Sequence, residues 1–69
     1  MTGTELLNWL TASRMTQTEF AQRAGVYQPR VAEAIAKGDI ELSAYWTPRF
    51  EQAMDQVDVE DRERLGGTP

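Results

Sequence analysis

Cysteine and histidine are both missing from the 69 residues. Without cysteine there are no disulfides, zinc–thiolate sites or thiol catalysis. Without histidine the usual general base and commonest metal ligand is gone. Serine occurs only at Ser13 and Ser43, with no histidine to activate either. No residue set for a hydrolase or metalloenzyme remains, so the expectation is no enzyme, no catalytic residue, no metal and no cofactor, and no small-molecule ligand is evident. No apolar run approaches the roughly 20 residues needed to cross a bilayer. The N-terminus lacks the basic start and apolar stretch of a signal peptide. The chain reads as a cytoplasmic protein with no membrane partner. Its length gives one domain, whose own core supplies only marginal stability.

Positive charge is scarce as well: Lys and Arg number 7 against 11 Asp and Glu, a net of −4. The imbalance is local. Residues 1–38 hold Arg14, Arg23, Arg30 and Lys37 against Glu5, Glu19 and Glu33, a net of +1. Residues 39–69 hold Arg49, Arg62 and Arg64 against Asp39, Glu41, Glu51, Asp55, Asp58, Glu60, Asp61 and Glu63, a net of −5. Such asymmetry bears on partners rather than on fold.

What is present is helix punctuation. Thr2 and Glu5 have the spacing of a capping box, and Leu6, Leu7, Trp9 and Leu10 follow as an apolar face, which predicts a first helix over about residues 3–12. Thr16 and Glu19 make a second capping box, with Met15 and Phe20 placed for a hydrophobic staple. That predicts a helix from Gln17 to Ala24, ended by Gly25 in the left-handed conformation. A third helix is predicted over about residues 28–37. Pro29 is tolerable in its first turn, Val31, Ala34 and Ile35 face inward, and Gly38 stops it.

Beyond Gly38 two readings stay open. Ile40 to Ser43 alternate as a short strand would, and a hairpin across Thr47-Pro48 is one possibility. The other is a cap at Thr47 with a first-turn proline, then Phe50, Ala53, Met54 and Val57 at i, i+3, i+4 and i+7, the pattern of a fourth helix. Asp58 is placed to cap a short fifth helix, with Asp58–Arg62 and Glu60–Arg64 as i, i+4 pairs. Residues 1–65 then form one domain, and residues 66–69 a frayed tail.

Helix 2, a glycine turn and helix 3 together make a helix-turn-helix over about residues 17–37. Ala21 is small where the helices approach, Gly25 makes the turn, and Val31 plugs the angle between them. The stretch Gly25-Val-Tyr-Gln28, with Ala34-Ile35 and Gly38, resembles the recognition-helix region of lambda-type Cro proteins. The wider frame Met15-Thr-Gln17-Thr-Glu-Phe-Ala-Gln-Arg-Ala-Gly-Val is similar to the lambdoid Cro and repressor helix-turn-helix family. The resemblance covers residues 15–38 most closely, residues 1–14 less so, and the chain beyond residue 40 loosely. It implies an all-α, lambda-repressor-like bundle of four to five short helices, or three helices and a C-terminal β-hairpin as in some Cro proteins. It also implies a transcriptional regulator that binds double-stranded operator DNA as a homodimer, with helix 3 in the major groove.

Carried onto this sequence, the base-reading candidates are Gln28, Pro29, Arg30 and Glu33. Gln can bond adenine N6 and N7 together. Arg30 is long enough for guanine or a phosphate, and Glu33 is able to accept from cytosine N4 or simply to repel DNA. Pro29, where many relatives carry a polar reader, offers only apolar contact, for instance with a thymine methyl. The backbone candidates are Gln17, Thr18, Tyr27, Arg14, Lys37 and Arg49. Gln17 stands at a helix N-terminus suited to phosphate, and its side chain is placed to brace Gln28. The plain alternatives are solvated surface amides for the two glutamines, a surface cation for Arg30, partial core for Tyr27, a solvated helix residue for Glu33, and core packing for Trp9, Phe20, Trp46 and Phe50, or an interface for Trp46. A rival of a different class is a helix-turn-helix protein-interaction module of antitoxin or anti-regulator type. The acidic half and the thin reader set favour it, and the two glutamines in register do not.

Overall fold

A computed structural model describes residues 1–66, and side chains through Arg62. Four helices follow one another: α1 (Gly3–Ser13), α2 (Gln17–Ala24), α3 (Gln28–Ala36) and α4 (Trp46–Gly66). The fold is all-α. The hairpin alternative does not form, and the only β pairing among the described residues is one isolated antiparallel bridge between Thr2 and Glu41.

The helix starts obey their sequence signals. In α2 the box is complete: the Thr16 hydroxyl accepts the Glu19 N–H at 3.1 Å and the Glu19 carboxylate accepts the Thr16 N–H at 3.5 Å. In α1 only half forms. Thr2 accepts the Glu5 N–H at 3.2 Å, but the Glu5 carboxylate takes the Thr2 hydroxyl instead of its backbone. Gly25 ends α2 at φ 69°, in the left-handed region that glycine enters without cost. Helix α1 ends without such help, because Arg14 itself adopts φ 55°. The N–H groups of Arg14 and Met15 close this end on the Thr11 and Leu10 carbonyls at 3.2 and 3.1 Å.

The chain beyond Gly38 corrects the expectations in two places. Thr47 does not cap α4. The N–H groups of Trp46 and Thr47 reach back to the Ser43 carbonyl at 3.2 and 3.0 Å, so Ser43 satisfies the helix start and Pro48 lies inside the first turn. No fifth helix begins at Asp58 either. Helix α4 runs 21 residues unbroken, and Asp58 is an exposed residue within it. Val57 is buried beside it, Glu60 pairs with Arg23 of α2, and the side chain of Arg64 lies outside the described residues. Gly66 belongs to α4, and the remainder of the expected tail lies outside the described residues.

The core is a cluster of Leu6, Leu10, Phe20, Ala21, Val31, Ala34, Leu42, Phe50 and Ala53. Its centre is aromatic. Phe20 meets Trp9 edge-on at 5.6 Å and Phe50 at 5.7 Å, while Trp46 stacks on Phe50 at 5.8 Å. The aromatics are therefore packing residues. Leu7, expected on the inner face of α1, is turned out and exposed.

Helix α1 meets the end of α3 backbone to backbone. Thr4 N–H donates to the Gly38 carbonyl at 2.9 Å, which joins the donor-rich start of one helix to the acceptor-rich end of another. Gly3 makes this approach possible, since a Cβ there would lie 2.1 Å from the Ala34 carbonyl oxygen. The Met1 amine pairs with Glu41, and that carboxylate, more than any other group, raises the amine's pKa above its ordinary value.

Candidate nucleic-acid interface

Helices α2 and α3 pack closely on one another, and α3 also packs on α1. Ala21 and Val31 are buried at their crossing, 2% and 0% exposed. The turn between them is fixed by the Val26 N–H, which donates to the Ala21 carbonyl at 3.0 Å. A small residue, a left-handed glycine and a plugging valine thus hold two short helices at a set angle.

That angle brings the first residues of the two helices together. The Gln28 side-chain N–H donates to the Gln17 side-chain carbonyl at 3.0 Å, in a half-buried setting. The contact links positions 11 residues apart in sequence, so it is a property of the tertiary fold. Around it lie exposed Thr18 on α2 and exposed Pro29 and Arg30 on α3. Tyr27, the residue before α3, is 76% exposed and makes no side-chain cap. Its ring is free of the core, so the core alternative for Tyr27 does not hold.

Arg30 and Glu33 are joined. One guanidinium nitrogen of Arg30 donates to the Glu33 carboxylate at 3.3 Å, with both side chains more than half exposed. Opposite charges three apart on a helix are the sequence signal of such a pair. Arg14, at the left-handed end of α1, precedes α2 and is exposed. Lys37 closes the far end of α3. Arg49 stands apart from the rest. It lies on α4, donates to the Tyr45 carbonyl at 2.9 Å and stacks over the Tyr45 ring at 3.9 Å.

Arg49 also borders an open polar cleft of about 260 Å³, together with Arg23, Gly25, Gln52 and Gln56. The cleft lies at the end of α2 away from Gln17. Among the described residues no group of carboxylates is arranged to hold a metal ion, and no helix is long and apolar enough to cross a membrane. Compared with models of known protein families, with curated proteins and with solved structures, the chain matches none.

Proposed function

We propose that this protein is a sequence-specific regulator of transcription, similar in kind to phage Cro and repressor proteins, that binds operator DNA in the cytoplasm by occlusion and without chemistry. The observation that carries the reading is the Gln28–Gln17 bond of 3.0 Å. It uses one of the two amide hydrogens of Gln28. The other hydrogen and the side-chain carbonyl stay free, and they are the donor–acceptor pair that complements N7 and N6 of adenine. A bond that fixes the rotamer of an otherwise mobile side chain lowers the ordering cost of that contact. A merely solvated amide has no need of it.

In this reading α3 lies in the major groove and Gln17, Thr18, Tyr27 and Arg14 meet phosphates. Lys37 contributes at the edge. The acidic helix α4 packs chiefly on α2, so the negative half of the chain is held behind the helix pair. Few phosphate contacts per subunit make a single copy weak and salt-sensitive. A two-fold dimer on half-sites about 34 Å apart answers that, with exposed Tyr45 and the outer face of α4 as its surface. The rival, a protein-interaction module, draws on the acidity of α4 and on the neutralisation of Arg30 by Glu33.

Selection of duplexes from a random-sequence pool at low salt separates the two. Enrichment of a palindromic consensus supports the regulator. Weak binding that is indifferent to sequence supports the interaction module and directs the search to a protein partner.

A further inference from the structure

We infer that Arg30 and Glu33 read one G·C base pair jointly, as a single donor–acceptor unit, within the DNA-binding reading on which this inference rests. Guanine presents two acceptors in the major groove, N7 and O6, and its cytosine partner presents one donor, the N4 amino group. A guanidinium beside a carboxylate is the complement: donors next to an acceptor. The spacing agrees. Guanine O6 and cytosine N4 are hydrogen-bonded to each other and so lie about 2.9 Å apart. The Arg30 nitrogen and Glu33 oxygen that would meet them are 3.3 Å apart.

The unit has capacity to spare. Arg30 spends one N–H on Glu33 out of the five in its fork, and the Glu33 oxygen that accepts it keeps a lone pair for cytosine. Both side chains are exposed, at 56% and 62%, so neither is committed to the core. An exposed pair of this kind adds little to stability, and α3 is already anchored by buried Val31 and Ala34. Stability therefore gives no account of the pair. The pair stands on exposed positions of the helix that Gln28 opens.

Pairing also changes what Glu33 does to DNA. An isolated carboxylate on a reading helix repels phosphates without regard to sequence. Coupled to Arg30, it penalises every base pair that offers no donor beside an acceptor pair, and so converts repulsion into discrimination.

The test uses the duplex recovered for the unsubstituted chain, with Arg30→Gln, Glu33→Gln and the double substitution. All lie on exposed positions, and circular dichroism checks that the helices are retained. The expected result is a G·C position preferred roughly ten- to a hundredfold over A·T, lost largely in either single variant, with the double variant adding little. N4-methylcytosine, which covers the exposed amino hydrogen, should weaken the unsubstituted chain and leave Glu33→Gln indifferent. Two results overturn the inference while leaving the DNA reading intact. In one, Glu33→Gln keeps the preference that Arg30→Gln erases, so Arg30 reads alone. In the other, Glu33→Gln raises affinity equally for all duplexes, so Glu33 only repels. Absence of any enrichment for the unsubstituted chain overturns both.

Discussion

At the residue scale, two contacts govern the account, and one was legible in advance. Gln17 and Gln28 stand at helix starts, and the resemblance to the Cro and repressor frame implied that Gln17 braces Gln28, as the bond of 3.0 Å does. Gly3 was not legible, because its role depends on α3 passing over it, and a lone glycine in a sequence does not show what will cross it. Gly3→Ala should destabilise the protein. The added Cβ would fall 2.1 Å from the Ala34 oxygen, and overpacking of this kind costs about 1–3 kcal/mol, more than the roughly 1 kcal/mol that alanine gains in helix propensity. Urea unfolding checks it, and an unchanged or raised midpoint would contradict the close approach. The Met1–Glu41 pair predicts a pH dependence. Glu41 raises the amine's pKa in the folded chain above 8.0. Its contribution is therefore full below about pH 8 and is lost as pH rises through the raised value. The melting temperature of the free-amine chain should exceed that of Glu41→Gln near neutrality and converge with it in alkali. A constant difference across pH would mean the pair is not the cause.

At the element scale, α1, α2 and α3 followed from caps, staples and glycines because those signals are local. The second half resisted for two physical reasons. A cap residue is recognised by type, and both Thr47 and Asp58 have the right type, yet Ser43 does the work of one and helix continuity removes the need for the other. The strand-like alternation at Ile40 to Ser43 finds only the isolated bridge from Glu41 to Thr2 among the described residues, and Leu42 is buried while Ile40 stays 65% exposed. The two capping assignments make a paired prediction. Thr16→Ala should cost about 1 kcal/mol through loss of a true cap. Asp58→Ala, in the middle of α4, should cost nothing or stabilise slightly, since alanine is the better helix former. Equal losses in thermal unfolding would restore a helix boundary at Asp58.

At the scale of the whole molecule, the charge asymmetry was plain in the sequence, but its consequence depends on where α4 packs. Helix α4 is seated chiefly on α2, and in the proposed DNA-binding reading its acidic surface would repel DNA from behind the helix pair and restrain binding that ignores sequence. Substituting Asp55→Asn together with Asp58→Asn should raise affinity for bulk DNA severalfold at low salt, with a smaller gain at high salt as screening grows. Unchanged affinity would show that α4 is electrostatically irrelevant to the interface. The central claim is that the fold presents Gln28, braced by Gln17, as a reader of DNA. It is tested most directly by measuring the affinity of the unsubstituted chain and of Gln28→Ala for the selected duplex and for bulk DNA at two salt concentrations. The account predicts that Gln28→Ala loses about 1–3 kcal/mol on the selected duplex and almost nothing on bulk DNA. An equal loss on both, or no loss on either, would contradict it.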